Sequence, residues 1–232
     1  MKDLFKRHNL VEISSGARQV IYSSISERYC GASLSGELKK MFLEGYSSCF
    51  IPGIVRRQDD KIREGYISLG FASLNKFEGS RLRIPFSVRL DDVVRVTGPY
   101  EVVLKQNSRR TACLAFLADV CTAAEDSGLE IGVWGSAAME LYTGLPYTTE
   151  GSDLDLIVKP GYPGVLKDFY ETIKTAGRKH NVRVDAELDL PDGGSVKLEE
   201  FFMSSGTLLS RSLYEVELIR RESLMKTLGM TF

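Results

Sequence analysis

Two aspartates lie two residues apart in the otherwise apolar segment SDLDLIVK, residues 152–159. In a strand, residues i and i+2 point to the same face, so Asp153 and Asp155 project together while the apolar residues between and after them face the core. Adjacent carboxylates repel each other unless a cation lies between them. Because Mg²⁺ is usually held by one or two carboxylates with water and substrate phosphates, the pair predicts a magnesium site, with manganese as an alternative.

A third carboxylate occurs in a later apolar segment, VRVDAELDL, residues 182–190. If this segment is a neighbouring strand, Asp185 completes a two-metal site of the kind that clamps the attacking and leaving oxygens in phosphoryl or nucleotidyl transfer. Glu187 shares the predicted face of Asp185, so the identity of the third metal ligand stays open between these two residues. The alternative for an isolated Asp-x-Asp pair is a strand edge or a loop without function.

A Gly-Ser pair precedes these carboxylates, between the predicted strand LEIGVW and the predicted helix SAAMELYTG. Free N–H groups at a helix start favour phosphate, and Gly135 lets the backbone approach it closely. Ser136 can cap the helix or donate its hydroxyl to a phosphate; the alternative is a plain N-cap. In a predicted βαβ arrangement these features form a nucleoside-triphosphate site. A side chain at position 135 is expected to block phosphate with little effect on the melting temperature.

The elements that must position these residues alternate along the second half of the chain. Helical spacing of apolar residues in SRRTACLAFLADVCTAAEDSG and the sequence LKDFYETIKTAGRKH predict two helices between short apolar strands. The first half contains short segments rich in Ile, Val, Phe and Tyr, which predict strands. We therefore expect an α+β (α/β-like) protein. A small β-rich domain over residues 1–95 is followed by a catalytic domain over residues 96–232, with a mixed sheet covered by helices.

The composition is that of an ordinary folded protein, with 232 residues, 43% hydrophobic and 26% charged. Four cysteines without a CxxC pair and only two histidines argue against a structural zinc site or a disulfide framework. No signal peptide is apparent at the N-terminus, and the longest apolar run is too short to span a bilayer. These features predict a cytoplasmic protein that does not bind a membrane.

The charge is uneven, at +5 for residues 1–100 (16 Lys/Arg and 11 Asp/Glu) and −6 for residues 101–232 (14 and 20). One hypothesis is that Arg56, Arg57, Lys61 and Arg63 steer an acidic partner toward the site. The alternative is a solvated loop whose charges neutralise each other.

The motifs resemble those of the DNA-polymerase-β-like nucleotidyltransferases, with Gly-Ser at a helix start, Asp-Leu-Asp on a strand and a later acidic residue. The segments WGSAAMELYTG, SDLDLIV and VRVDAELDLPDGGSVKLEEF are more closely similar to the phosphoribosyl-dephospho-CoA transferases of malonate decarboxylase, also called holo-acyl-carrier-protein synthases. The resemblance covers most of the chain and is specific in the second half. The Ser-rich stretch over residues 14–35 departs from the family pattern.

This resemblance implies a transferase with two substrates, 2'-(5''-triphosphoribosyl)-3'-dephospho-CoA and the apo acyl carrier protein of malonate decarboxylase, and no nucleic acid. A carrier serine would attack the α-phosphorus and diphosphate would leave. Asp153 and Asp155 would hold magnesium, and Asp185 would complete the metal site and help to deprotonate the serine. Gly135 and Ser136 would hold the departing diphosphate.

Two other functions fit the same residues. A stand-alone nucleotidyltransferase would use the same site to adenylylate a protein or a small molecule, so the motif does not separate it from the first function. A non-catalytic nucleotide-binding domain would keep the fold, but it has little need of three carboxylates. The acceptor has to be identified by experiment.

Overall fold

The structure is a computed structural model and describes residues 5–29, 31–47, 49–58, 63–106, 108–203 and 206–230. The chain forms two compact units, Met1–Gly98 and Pro99–Phe232. The α+β class predicted from the sequence is confirmed, because each unit combines one sheet with helices. Lys61, one of the cations in the steering hypothesis, lies outside the described residues.

The first unit contains a five-stranded antiparallel sheet in the order β4-β3-β2-β1-β5. Its strands are β1 (Leu10–Ile13), β2 (Gly53–Val55), β3 (Tyr66–Phe77), β4 (Ser80–Arg89) and β5 (Val93–Thr97). The segments rich in Ile, Val, Phe and Tyr form β2, β3 and β4, as their composition predicts. Alternating burial along β3 shows that one face of the sheet packs in the core.

The helices of this unit cover that face with apolar side chains. They are α1 (Ser15–Ile25) and α2 (Ala32–Lys39), and a π-helical turn, Lys40–Glu44, continues α2. Phe42 of this turn packs edge-on against Phe71 of β3, with ring centroids 5.2 Å apart. Helix α1 lies in the Ser-rich stretch for which no element was predicted, and Ser14 caps it by accepting a hydrogen bond from the Ala17 N–H.

The second unit has a six-stranded sheet in the order β11-β10-β9-β8-β7-β6. Its strands are β6 (Ile131–Trp134), β7 (Leu154–Val158), β8 (Val184–Asp189), β9 (Ser195–Lys197), β10 (Thr207–Arg211) and β11 (Val216–Arg220). Its helices are α3 (Pro99–Val103), α4 (Ala112–Asp126), α5 (Gly135–Thr143), α6 (Pro163–His180), α7 (Leu198–Met203) and α8 (Arg221–Thr227).

The sheet of the second unit is mixed, as predicted. Strands β7 and β8 run parallel and are connected through α6, whereas the other neighbouring strands pair antiparallel. The predicted βαβ arrangement around the Gly-Ser pair is wrong, because β6 and β7 are antiparallel although α5 connects them. The parallel unit is instead β7-α6-β8, which places the two carboxylate-bearing strands side by side.

Helices α4 and α6 pack against each other beside the sheet. Their facing residues include Phe116 and Phe169, which are 0% and 2% exposed. His180 is the last residue of α6; its Nε2 lies 2.9 Å from Asp119 Oδ2 and its ring contacts Phe116. Leu154, Leu156 and Val158 are completely buried, in agreement with the alternation predicted for β7.

A partly buried ionic cluster, in which Glu140 is buried and Arg110 is exposed, fixes the segment that leads from α5 into β7. Glu140 of α5 accepts two hydrogen bonds from the Arg110 guanidinium, both at 2.7 Å. It also accepts bonds from the Thr148 N–H and hydroxyl, at 2.6 and 2.7 Å. Burial alone raises the pKa of Glu140, but the hydrogen bonds from Arg110 and Thr148 outweigh it and lower the pKa.

In the described ranges, none of the helices has both the length and the apolar character needed to cross a bilayer.

We predict that Glu140→Ala lowers the free energy of unfolding by about 2 kcal/mol, because it leaves the buried Thr148 N–H without its acceptor. The ion pair with Arg110 adds little to this loss, since the Arg110 side chain is 44% exposed. Glu150→Ala, at an exposed position a few residues further along the same segment, is the control and should change stability by less than about 0.5 kcal/mol. Urea unfolding measures both variants. Equal losses would contradict a structural role for the cluster.

Candidate active site

The two carboxylates at the centre of the site are held by the register of parallel strands. Asp155 of β7 lies directly beside Asp185 of β8. Adjacent strands are about 4.8 Å apart, so the two side chains share one face at close range. Asp153, immediately before β7, projects to the same face by alternation. The structure thus places the three predicted aspartates on neighbouring strand positions.

The electrostatics of Asp155 reflect this crowding. Burial, followed by the negative charges of Asp185, Asp153 and Glu187, raises the pKa of Asp155 to about 7, although Arg183 opposes the shift. A carboxyl with this pKa is partly protonated at neutral pH. The local excess of negative charge would favour a bound cation.

Gly135 is required by Asp155 itself. A β-carbon at position 135 would lie 3.0 Å from the carboxyl carbon of Asp155 and well inside the van der Waals radius of its Oδ2. Gly135 also has a φ of +68°, in the left-handed region that favours glycine. The expectation that a side chain here has little effect on the melting temperature is therefore wrong, since the carboxylate already occupies that space. The expected block of phosphate binding stays a prediction.

The start of α5 has the geometry of an anion site. Trp134 is the N-cap residue of α5 and makes no side-chain capping bond, so the cap residue itself does not satisfy the first N–H groups of this helix. Ser136 is the second residue of the helix rather than its cap, and its half-buried side chain is next to Gly135. The indole N–H of Trp134 donates to the Leu156 carbonyl, which fixes the ring against β7.

Two basic side chains neutralise the outer aspartates. The Nε of Arg183 donates to Asp153 Oδ2 at 3.1 Å, and Lys197 Nζ lies 2.9 Å from Asp185 Oδ2. The side chain of Arg183 is 76% exposed, so this ion pair contributes little to stability. Arg183 can therefore leave its carboxylate at small cost.

Glu187, the alternative third ligand, lies deeper in the protein than Asp185. It is 3% exposed, and the hydroxyl of Ser195 donates to its Oε2 at 2.5 Å. Asp185 has the more accessible side chain of the two, at 27% exposure. This difference favours Asp185 for contact with a ligand.

Across the described residues, no group of three or more His, Cys, Asp or Glu side chains is arranged to hold a metal ion. Asp153 and Asp185 are directed at Arg183 and Lys197 instead. The adjacent pair Asp155 and Asp185 still fits magnesium, which prefers hard oxygen ligands and needs only one or two carboxylates from the protein. A role for all three aspartates requires Arg183 and Lys197 to move.

The protein thiol near this site is not activated. Cys113 of α4 donates to the Asp153 carbonyl at 3.3 Å. Burial, followed by the charges of Asp155, Asp153 and Glu140, raises the pKa of the Cys113 thiol to about 12. Because the thiolate is the reactive form, Cys113 is not a nucleophile at neutral pH.

Sequence reasoning did not identify Arg183 and Lys197 as parts of the site. Arg183 lies two residues before Asp185, so strand alternation places both on one face and offered a usable signal. Lys197 gave no such signal, because it reaches Asp185 through the antiparallel pairing of β9 with β8.

Comparison with known proteins finds one family across nearly the whole chain. Residues 101–222 match the model of the phosphoribosyl-dephospho-CoA transferase MdcG C-terminal domain. Residues 6–99 match the model of the corresponding N-terminal domain. No solved structure matches the chain significantly.

Curated relatives have the same name. A phosphoribosyl-dephospho-CoA transferase of Xanthomonas euvesicatoria is 27% identical over 174 residues, which cover 75% of this chain and 81% of the relative. Its counterpart in Xanthomonas axonopodis pv. citri is 26% identical over 78% of this chain and 84% of the relative. One from Pseudomonas putida strain W619 is 28% identical over 70% and 76%.

We predict that Gly135→Ala is more destabilising than Gly144→Ala. Both glycines have positive φ, so alanine at either position costs about 1–2 kcal/mol in backbone strain. A β-carbon at position 144 meets no atom within 4 Å, whereas one at position 135 displaces the Asp155 carboxyl. Urea unfolding should show the extra loss at position 135, and Asp155→Ala in the same chain should recover it. Equal losses for the two glycine variants would contradict the contact.

We predict a pH effect in metal-free protein. The raised pKa of Asp155 means that the folded state favours the protonated carboxyl, so this stabilisation is present below about pH 4 and is lost as pH rises through about 7. Asp155→Asn should remove about 3 kcal/mol of this decline, and the exposed control Asp168→Asn should not. Urea unfolding in chelator at several pH values measures it. Parallel profiles for wild type and Asp155→Asn would contradict the prediction.

Proposed function

The chain belongs to the MdcG family of phosphoribosyl-dephospho-CoA transferases, and from this premise we propose that it transfers the phosphoribosyl-dephospho-CoA group from a triphosphate precursor to a serine of an apo acyl carrier protein. The carrier in this proposal is the acyl carrier protein of malonate decarboxylase, and diphosphate is the leaving group. The chain is a transferase by its family; the acceptor, the leaving group, magnesium and a cytoplasmic location are parts of the proposal.

The observation that supports this function best is the placement of Asp155 between Asp185 and Gly135. One carboxylate thereby lies both beside a second carboxylate on the next strand and against the backbone at the start of α5. A triphosphate bound along this line would have its terminal phosphates at the helix start and its α-phosphorus over the carboxylates. This is the arrangement that nucleotidyl transfer needs.

Each residue has a defined role in the proposal. The N–H groups at the start of α5, with the hydroxyl of Ser136, bind the diphosphate as negative charge develops on it. Asp155 and Asp185 would hold magnesium, with Asp153 as a further ligand. When bound, magnesium would neutralise charge on the phosphates and act as a Lewis acid.

The nucleophile comes from the carrier. Its serine Oγ forms a bond to the α-phosphorus as the bond between the α- and β-phosphates breaks, and the serine proton passes to Asp185. Lys197, whose Nζ lies 2.9 Å from Asp185 Oδ2, would have to release Asp185 for this role. The protonated thiol of Cys113 is consistent with an enzyme that supplies no nucleophile of its own.

The proposal also gives Arg183 and Lys197 a second function. They hold Asp153 and Asp185 at neutral net charge before a ligand binds. Released from the carboxylates, both basic side chains would be available for phosphate oxygens. Because Arg183 is exposed, this exchange needs no rearrangement of the core.

Intact-mass spectrometry of candidate carriers tests the function directly. Incubation with magnesium, the triphosphoribosyl precursor and the apo carrier should add the mass of the precursor less diphosphate to the carrier serine. A parallel reaction with ATP tests adenylylation. A carrier or small molecule that gains AMP, but never the phosphoribosyl-dephospho-CoA group, would contradict the proposal.

We predict that Asp155→Asn and Asp153→Asn each slow this transfer by at least ~100-fold, equivalent to about 2.7 kcal/mol of transition-state stabilisation. Asp168→Asn, on the exposed side of α6, is the control and should transfer at the wild-type rate. Initial rates at saturating substrate measure the loss. Near-normal rates for the Asp155 variant, or full activity in chelator, would exclude the magnesium site.

A further inference from the structure

A polar cavity of about 320 Å³ opens next to Asp185, on the side of β8 away from Asp155. Residues Tyr170, Lys174 and Arg178 of α6, spaced four apart and hence on one stripe of the helix, form one wall. Arg183 and Lys197 line it on the side of the carboxylates. Its volume is at the lower end of the range for ligand sites.

The cavity exists because β9 is short. Strand β9 pairs with β8 from Glu187 to Asp189, and the cavity is lined by the preceding residues of β8, Val184, Asp185 and Ala186. Along this stretch the edge of β8 is not covered by β9. Main-chain groups there can contribute hydrogen bonds to a ligand, as at other open strand edges.

Positive charge dominates the lining. Four of the lining side chains are basic (Lys174, Arg178, Arg183 and Lys197) and two are acidic (Asp185 and Glu199). Lys174 contacts Glu199 at 2.8 Å. Arg178 makes no ion pair with any residue that the structure describes, so its guanidinium is available to a ligand. Two guanidinium and two ammonium groups around one polar cavity suit a phosphate-rich anion.

The position of the cavity determines which phosphate groups of a substrate can reach it. In the sheet order, Gly135 follows β6, the aspartates are on β7 and β8, and the cavity lies beyond β8. The helix start and the cavity are therefore separated by at least two strand spacings, about 10 Å. Consecutive phosphates of one triphosphate share bridging oxygens and do not reach across this distance when the α-phosphate lies over the carboxylates.

The substrate of the proposed function contains a second anionic group at the right separation. Its triphosphate is attached to one ribose, which is linked to the adenosine ribose, and the adenosine 5' position carries the diphosphate that leads to the pantetheine arm. We infer that the cavity lined by Lys174 and Arg178 binds this diphosphate of the dephospho-CoA moiety, while the triphosphate occupies the carboxylates and the start of α5. This assignment rests on the proposed function.

Neighbouring residues of α6 provide a matched test. Arg178 lines the cavity and the adjacent Lys179 does not, although both are exposed cations at the end of the same helix. Isothermal titration calorimetry with 3'-dephospho-CoA at fixed ionic strength should show weaker binding for Arg178→Gln by about fivefold. Lys174→Gln with Arg178→Gln should weaken it by ~10-fold or more, since the pair removes two charge-assisted hydrogen-bond donors from the cavity.

The control variant Lys167→Gln with Lys179→Gln removes the same charge from the same helix outside the cavity. It should bind dephospho-CoA within twofold of wild type. Thermal unfolding confirms that each variant folds, and the single Arg178→Gln variant breaks no ion pair. We call Lys174→Gln with Arg178→Gln the cavity pair and Lys167→Gln with Lys179→Gln the control pair. The assignment would be overturned if the control pair weakened binding as much as the cavity pair, or if the cavity pair kept wild-type affinity. It would also be overturned if the wild type did not bind dephospho-CoA.

Inorganic diphosphate with magnesium distinguishes the two phosphate sites. Its affinity should be unchanged in the cavity pair, because the leaving group binds at the start of α5. A loss equal to that for dephospho-CoA would show that the cavity binds the leaving group and would overturn the inference. Failure of the carrier to gain mass with wild-type protein tests the proposed function separately, since the calorimetry needs no carrier.

Discussion

The parallel pairing of β7 with β8 is the constraint on which the site depends. It places Asp155 beside Asp185 at the spacing of neighbouring strands, and it does so with Asp155 largely removed from water. Two carboxylates at this distance in a partly buried position are unfavourable without compensation. The surrounding basic residues, the bare backbone at Gly135 and the raised pKa of Asp155 are all responses to this concentration of negative charge.

The carboxylates of the site have two kinds of partner, one fixed in the interior and one that can be released. Glu187 is buried with Ser195, and its hydrogen bond belongs to the interior of the sheet. Arg183 instead holds Asp153 at the surface, where ion pairs are weak, and Lys197 holds Asp185 in a partly exposed position. A site with this division keeps its shape without a ligand and still offers carboxylates to a cation and cations to phosphates when a substrate arrives.

The rest of the second unit holds the site rigid without taking part in it. Glu140, Arg110 and Thr148 join α5 to the segment that enters β7, so the start of that helix and the aspartates are fixed relative to each other. Helices α4 and α6 cover the apolar face of β7. On the other side of Asp185, the short β9 leaves room for the basic cavity. The catalytic face and the substrate cavity thus share one strand, β8, as their common wall.

Local patterns in the sequence were enough to predict the elements and the central residues. Alternation in SDLDLIVK placed Asp153 and Asp155 on one face, and apolar periodicity gave the helices of the second half, because these features depend on residues two to four positions apart. The Gly-Ser, SDLDLIV and VRVDAELDL motifs also led to the family, which the matches to the models of its N- and C-terminal domains confirm. Helix α1 was missed because its Ser-rich sequence has low helix propensity, and burial of its Ile21 and Ile25 supplies the stability instead.

The tertiary structure decided what depends on pairing between distant segments. The antiparallel direction of β6, the Lys197–Asp185 contact and the collision of any side chain at position 135 with Asp155 follow from strand register. The cavity at Lys174 and Arg178 follows from where β9 ends. Strand order and register are set by the packing of the whole sheet, and no local pattern encodes them. The sequence by itself therefore determined that three carboxylates and a Gly-Ser pair are the candidates for the site, and the fold determined which partners each of them has, including Arg183 and Lys197.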